Sequence, residues 1–257
     1  MLLIATTSFV CCMNSRFAAP SCVLALLSAL SCSSVLAQTY TVKLGGAYID
    51  PNATSSEFSG TLPGPRPVVP GVTLQVQKKS TVVFSVERTL TDRLSVEVAL
   101  GIPPEHDVQL KASAALLGGA FGDVAANYYG SYANQTIATV KQVAPTVFLN
   151  YKYGDAADAL RPYLGLGINY TRLESKLTAR GRAFYQGVPM DLDLTDSWGP
   201  AVQFGLSYRI DRNWSFNTNI ASAVVETKLR VRGGGGEHRA TFEFTPTVWT
   251  ATVGYSF

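Results

Sequence analysis

From residue 40 onward, apolar and polar residues alternate one by one over stretches of strand length. The pattern is clearest in LRPYLGLGINYTRL, Leu160 to Leu173, where Leu164, Leu166, Ile168 and Tyr170 share one parity and Gly165, Gly167, Asn169 and Thr171 the other. A period of two puts successive side chains on opposite faces of a strand. The same alternation sets Tyr40, Val42, Leu44 and Tyr48 against Thr41, Lys43, Gly45 and Ala47, then Val82, Phe84 and Val86 against Val83, Ser85 and Glu87. It returns at Leu94 to Leu100, Val147 to Tyr153, Trp198 to Tyr208, Trp214 to Ile220 and Trp249 to Phe257, which predicts eight strands in all. After Ala37 no uninterrupted apolar run approaches the roughly 20 residues of a transmembrane helix, and no long 3.6-residue period competes.

The connections alternate too. Short ones sit at Thr91-Asp92, Gly154 to Ala159 and Asp211 to Asn213; long ones run from Asp50 to Lys79, Pro103 to Thr136, Arg172 to Leu194 and Arg232 to Arg239. In a soluble sandwich or lipocalin-like barrel the apolar parity faces inward, and nothing segregates loop length in this way. A membrane barrel turns the alternation inside out, with tight turns on the periplasmic side and longer loops outside. The apolar parities are rich in Tyr and Trp near strand ends, as an interfacial girdle requires, and almost free of charge. The expectation is therefore an all-β chain, an eight-stranded antiparallel transmembrane β-barrel with short periplasmic turns and long extracellular loops. Leu164, Leu166, Ile168 and Tyr170 then face lipid. The sheet must close, because hydrocarbon offers edge strands no hydrogen-bond partner.

The N-terminal residues change the picture of where this barrel resides. Met1 to Ala37 carries one charge, Arg16, then the apolar run CVLALLSAL and the small-residue ending VLA before Gln38. This reads as a secretory signal peptide over 1–37, leaving a barrel over 38–257. All four cysteines, Cys11, Cys12, Cys22 and Cys32, fall within that leader, so disulfides and thiolate sites drop out of consideration. Of 21 Lys and Arg only Arg16 is lost, and none of the 18 acids, so residues 38–257 carry about +2. That near-balance argues against nucleic acid as a partner. Export and the barrel pattern together place the chain in the outer membrane of a Gram-negative bacterium.

Candidate chemistry is sparse. The inward parities predict a lumen lined by Glu97, Ala99, Gly165, Gly167, Asn169, Ala201 and Ala221, with Gly205 leaving further room. Lys43, Glu87, Glu97 and Lys152 share that parity and predict a buried charge network in the periplasmic half, with selective ion binding as the alternative. Pro103, Pro145, Pro200 and Pro246 each lie about nine to eleven residues from a tight turn or the C-terminus, one membrane-crossing length. Proline donates no ladder bond, so these four predict a ring of broken pairing at the outer edge of the bilayer: a lateral opening, or simply the place where strands end. In the loop stretch ASAALLGGAFG, Leu116, Leu117 and Phe121 could line an apolar funnel or form a small loop core. His106 is expected at the rim, where a catalytic pairing with Asp107 is the lesser reading. His238, after the GGGG run, is expected to be solvated on a flexible tip. Without HExxH or clustered His and Cys, neither a metal nor a cofactor is expected.

RPYLGLGINYT at Arg161, LTDSWGPAVQFGLSYRIDRNW at Leu194, VAPTVFLNYKYGDA at Val143 and the terminal GYSF resemble the OmpW family of outer-membrane proteins, AlkL-like members included, over essentially all of residues 38–257. The resemblance implies an eight-stranded barrel with a hydrophobic lumen that passes small hydrophobic molecules, outer-membrane lipid and such solutes being its partners. It also implies that Phe257 is the C-terminal aromatic read by the outer-membrane assembly machinery. In some members a Leu and a Trp narrow the interior, and alignment of VEVALGIPP and NWSFNTNIAS sets those positions at Ala99 and Ala221. The functional expectation is a non-enzymatic channel or carrier for passive uptake of small hydrophobic molecules. The alternatives are a small-barrel lipid acyltransferase or protease, and a structural or adhesive barrel with a plugged lumen.

Overall fold

A computed structural model describes residues 39–64 and 66–257; the expected signal segment, 1–37, lies outside the described residues. The eight expected strands are present: β1 (Tyr40–Asp50), β2 (Lys79–Thr89), β3 (Leu94–Gly101), β4 (Thr146–Lys152), β5 (Leu160–Leu177), β6 (Ser197–Arg209), β7 (Trp214–Ala223) and β8 (Thr247–Ser256). Each pairs antiparallel with its neighbours in the chain, and β8 pairs with β1 from Thr41↔Ser256 to Asp50↔Thr247, so the barrel closes. Closure leaves no edge strand, which is what a bilayer demands.

The apolar parity faces out. Leu44, Leu149, Leu166, Ile168 and Phe204 are among the most exposed large side chains, while their neighbours Lys43, Phe148, Asn150, Asn169 and Gln203 are buried. Aromatic residues mark both ends of the apolar band. Trp214 meets Tyr255 edge-on, with centroids 5.0 Å apart, near the tight turns, and Tyr170 lies 4.7 Å from Trp198 at the other end. Phe257 stacks on Tyr40 at 6.3 Å and exchanges backbone hydrogen bonds with it, which pins the chain terminus to the seam.

The long connections are not loops. β5 runs on beyond the barrel, and its upper part pairs with the strand Thr136–Val143, which pairs with Glu105–Ala112, which pairs with Val72–Val76. A second sheet places Asp191–Leu194, Val225–Gly233, Gly236–Phe244, Ser59–Leu62 and Arg66–Pro67 side by side. Short helices at Ala114–Leu117, Asp123–Tyr132 and Ala179–Phe184 join them. A common apolar core that includes Val72, Leu110, Tyr129, Phe184, Val231 and Phe242 holds these pieces together above the barrel.

Two expectations fail here. The last connection extends over Val224 to Pro246, well beyond Arg232 to Arg239, because the hairpin Val225–Gly233/Gly236–Phe244 fills it. The GGGG run is no flexible tip: Gly233 pairs with Gly236 across a two-residue turn at Gly234 (φ 57) and Gly235 (φ 79), the left-handed geometry that suits glycine. A Cβ on Gly236 would meet the backbone of Leu62, so the turn is packed against the neighbouring strand.

Candidate functional site: a lumen closed below, with an apolar pocket above it

Four charged side chains build the floor of the lumen. Lys43 Nζ lies 2.7 Å from Glu87 and 3.0 Å from Glu97, and Lys152 pairs with the other oxygen of Glu87. Their positions follow from register: Lys43 sits opposite Ser85 on β2, and Glu87 is directly opposite Glu97 on β3. Two like charges side by side need cations on either hand, and Lys43 and Lys152 supply them. Neutral donors complete the floor. Ser85, Asn150 and Gln203 all donate to Glu97, at 2.6, 2.9 and 3.2 Å. Asn219 donates to the Gln203 amide oxygen at 2.9 Å and to the Tyr163 hydroxyl at 3.2 Å. The expected charge network is thus found together, and larger than expected by five neutral groups, Ser85, Asn150, Gln203, Asn219 and Tyr163. All five lie on the inward parity, so the signal was available.

Above this floor the lumen encloses about 170 Å³, lined in part by Glu97, Ala99, Asn169, Ala201 and Ala221. Gly165 and Gly167 do not line it. A Cβ at Gly165 would collide with Asn150 and Gln203, one at Gly167 with the backbone of Val147 and the Phe148 ring, and one at Gly205 with Tyr163. These glycines therefore make room for neighbouring side chains to cross the barrel and form the floor, not for an open bore. Below the floor a separate polar cavity of about 130 Å³ opens among Lys152, Arg161, Arg209 and Asp211; Lys43 borders both spaces.

A third cavity, of about 60 Å³, lies between the two upper sheets. Its wall is mostly apolar, with Leu74, Val108, Val140, Leu173 and Leu229, and it shares Gln142 with the lumen. The apolar spaces are therefore neighbours, one in the barrel and one above it.

The prolines mark where the barrel gives way to the upper sheets. The β3–β4 ladder ends at Ala99↔Thr146, and pairing resumes only with Gln142 N–H donating to Pro104 O. Between these points lie Leu100 to Pro103 on one side and Val143 to Pro145 on the other. Leu100 and Ala144 both border the lumen cavity, although Leu100 has the lipid-facing parity. Across the barrel, the β7–β8 ladder ends at Ser222↔Thr247, next to Pro246, before Val225↔Phe244 begins. Pro200 differs: it sits within an unbroken β5–β6 ladder opposite Ile168, and its carbonyl accepts from Val224 N–H. The expected ring of breaks is two gaps, at Pro103/Pro145 and at Pro246.

The remaining candidates move into the upper core. Leu116 is fully buried there while Leu117 and Phe121 stay exposed, so the three do not line one funnel. Neither histidine is where the sequence suggested. His106 is 1% exposed, not a rim residue, because Glu105–Ala112 turns its even positions, His106, Val108 and Leu110, into the core. His238 is equally buried on Gly236–Phe244, with Nε2 2.8 Å from the Tyr185 hydroxyl and Phe58 5.1 Å away. Among the described residues no cluster of three His, Cys, Asp or Glu is suited to a metal.

Burial pushes the His238 imidazole from its ordinary 6.5 down to about 4. Unfolding releases it to the higher value, so its stabilisation of the upper sheets is complete above about pH 6.5 and is lost as pH falls toward 4. Hydrogen exchange across residues 225–244, corrected for intrinsic rate, should quicken over that window, and His238→Phe should flatten the change. An unaltered pH profile in the variant contradicts this.

The comparisons with known proteins agree with the geometry. The OmpW family profile matches residues 38–257. Outer membrane protein W of Vibrio cholerae serotype O1 is 28% identical over 239 residues, 92% of this chain and 98% of its own length. The crystal structure of OprG from Pseudomonas aeruginosa superposes with a TM-score of 0.69 at 24% identity, covering 86% of this chain and 96% of that one. The solid-state NMR structure of AlkL in lipid bilayers gives 0.56 at 15% identity, covering 95% and 97%.

Proposed function

The chain belongs to the OmpW family and is an outer-membrane β-barrel, and from that premise we propose that it carries small hydrophobic molecules passively across the outer membrane, without catalysis. One observation carries this reading. An apolar pocket outside the barrel adjoins an apolar lumen, and a buried ion-pair floor closes the lumen toward the periplasm. Water-soluble solutes have no continuous polar path, whereas apolar ones find two successive sites lined mostly by apolar side chains. The gap between Leu100–Pro103 and Val143–Pro145 supplies the exit: a solute leaves sideways into the outer leaflet and need not cross the charged floor.

The enzyme alternative loses support, because His106 lies in the apolar core and not beside a nucleophile at the rim. Expression of the full chain in cells lacking it should raise the initial uptake of naphthalene or octane several-fold over empty cells, and leave uptake of a sugar of similar size unchanged. Equal rates for naphthalene with and without the chain would refute the proposal.

A further inference from the structure

The upper pocket has a buried polar group that its fold does not use. His106 Nδ1 lies 2.8 Å from the Gln77 carbonyl oxygen. A carbonyl only accepts, so Nδ1 carries the hydrogen and Nε2 is left as a bare acceptor. That Nε2 is buried and has no partner. The pocket's other buried polar groups are engaged: Thr227 donates to Thr195 O at 2.7 Å, Ser175 to Leu192 O at 3.4 Å, and Tyr185 is bonded to His238. Burial also lowers the His106 pKa, which keeps the ring neutral and the lone pair free at pH 7.

Position gives the lone pair its meaning. His106 lines the upper pocket two residues, about 7 Å of strand, above Pro104, which lines the lumen. It is paired with Val140, and Gln142, two residues further along that strand, borders both cavities. His106 thus stands on the pocket wall near where the two cavities share Gln142, here called the neck. The upper pocket, at about 60 Å³, is smaller than the roughly 150 Å³ apolar cavity that admits benzene, but the lumen at about 170 Å³ is not. A ligand with its ring or chain in the lumen reaches Nε2 with its polar end by parting the side chains that cover it.

We propose that His106 Nε2 is a hydrogen-bond acceptor site at this neck, which selects small apolar solutes bearing one neutral O–H or N–H donor, phenols and alkanols, over the parent hydrocarbons. An anion is disfavoured, since it brings no hydrogen to the lone pair and must be stripped of water in an apolar wall. The inference rests on the uptake reading and names its preferred substrate class.

The test uses the full-length chain and two probes of one shape, 1-naphthol and naphthalene. In cells, His106→Leu should lower the chain-dependent uptake of 1-naphthol about fivefold, the factor one neutral hydrogen bond is worth, and leave that of naphthalene unchanged. His106→Gln, which keeps an acceptor, should restore much of the difference. A fall in both probes alike, or in neither, overturns the proposal. Independently, the ¹⁵N resonance of Nε2 in purified protein should shift with 1-naphthol and not with naphthalene. If wild type carries neither probe, the uptake reading fails and this resonance alone decides; no shift with 1-naphthol overturns the site.

Discussion

Replacing Lys43 with Met is expected to destabilise the barrel by about 3–5 kcal/mol, the range for removing one partner of a buried ion pair. Lys43 holds Glu87 at 2.7 Å and Glu97 at 3.0 Å, and all three side chains are at most 5% exposed. Glu87 keeps Lys152 after the change. Glu97 keeps only neutral donors, Ser85, Asn150 and Gln203, so one carboxylate is left in the barrel without a counter-charge. Adding Glu97→Gln removes that charge and preserves hydrogen bonding, so the double variant should recover most of the loss, as coupled neighbours do. Urea unfolding in detergent gives both values, and a single-variant loss below about 1 kcal/mol would contradict the account of the floor. Because Lys43 borders the spaces above and below, the same substitution should also raise ion conductance in planar bilayers.

The barrel was legible because two constraints act on every residue of its strands. Lipid on one side and a crowded interior on the other leave no freedom of parity, so Leu164 to Tyr170 reads the same way in sequence and in structure. The floor was half legible. Lys43, Glu87, Glu97 and Lys152 announce themselves as charges on an inward parity, but the glycines opposite them look like vacant space. Only the register shows that Asn150 and Gln203 fill the room at Gly165, and Tyr163 the room at Gly205.

The upper sheets were missed for a different reason. Their strands are short, and Pro63, Pro70, Gly60 and Gly71 interrupt the stretch before Val72. Yet Val72, Leu74 and Val76 alternate, as do His106, Val108 and Leu110. On the last hairpin His238, Ala240 and Phe242 share a parity that faces Leu229 and Val231 across the turn. That parity is the signal that moves His238 from solvent into the core. Such segments resemble loops because they pair with partners far away in sequence, Ser59–Leu62 against Gly236–Phe244 for example. Local patterning alone does not reveal those partners.

The largest functional effect should come from restoring the missing ladder donors at the two gaps. Pro103 lies in the first gap, just beyond β3, and Pro246 at the second, just before β8 begins, and neither offers an N–H to the neighbouring strand. Valine at positions 103 and 246 supplies a donor inside each gap and favours extended backbone, so β3 can pair with the segment above β4, and β7 with the residues before β8. The floor remains closed in this variant, and the upper pocket and lumen keep their linings. What changes is the wall through which a solute leaves.

The most direct measurement of the sideways route is therefore the initial uptake of naphthalene by cells carrying Pro103→Val/Pro246→Val, with the amount of folded barrel in the outer membrane matched to wild type. The account predicts a rate no higher than that of cells without the chain. Uptake at the wild-type rate from a correctly folded double variant would contradict it.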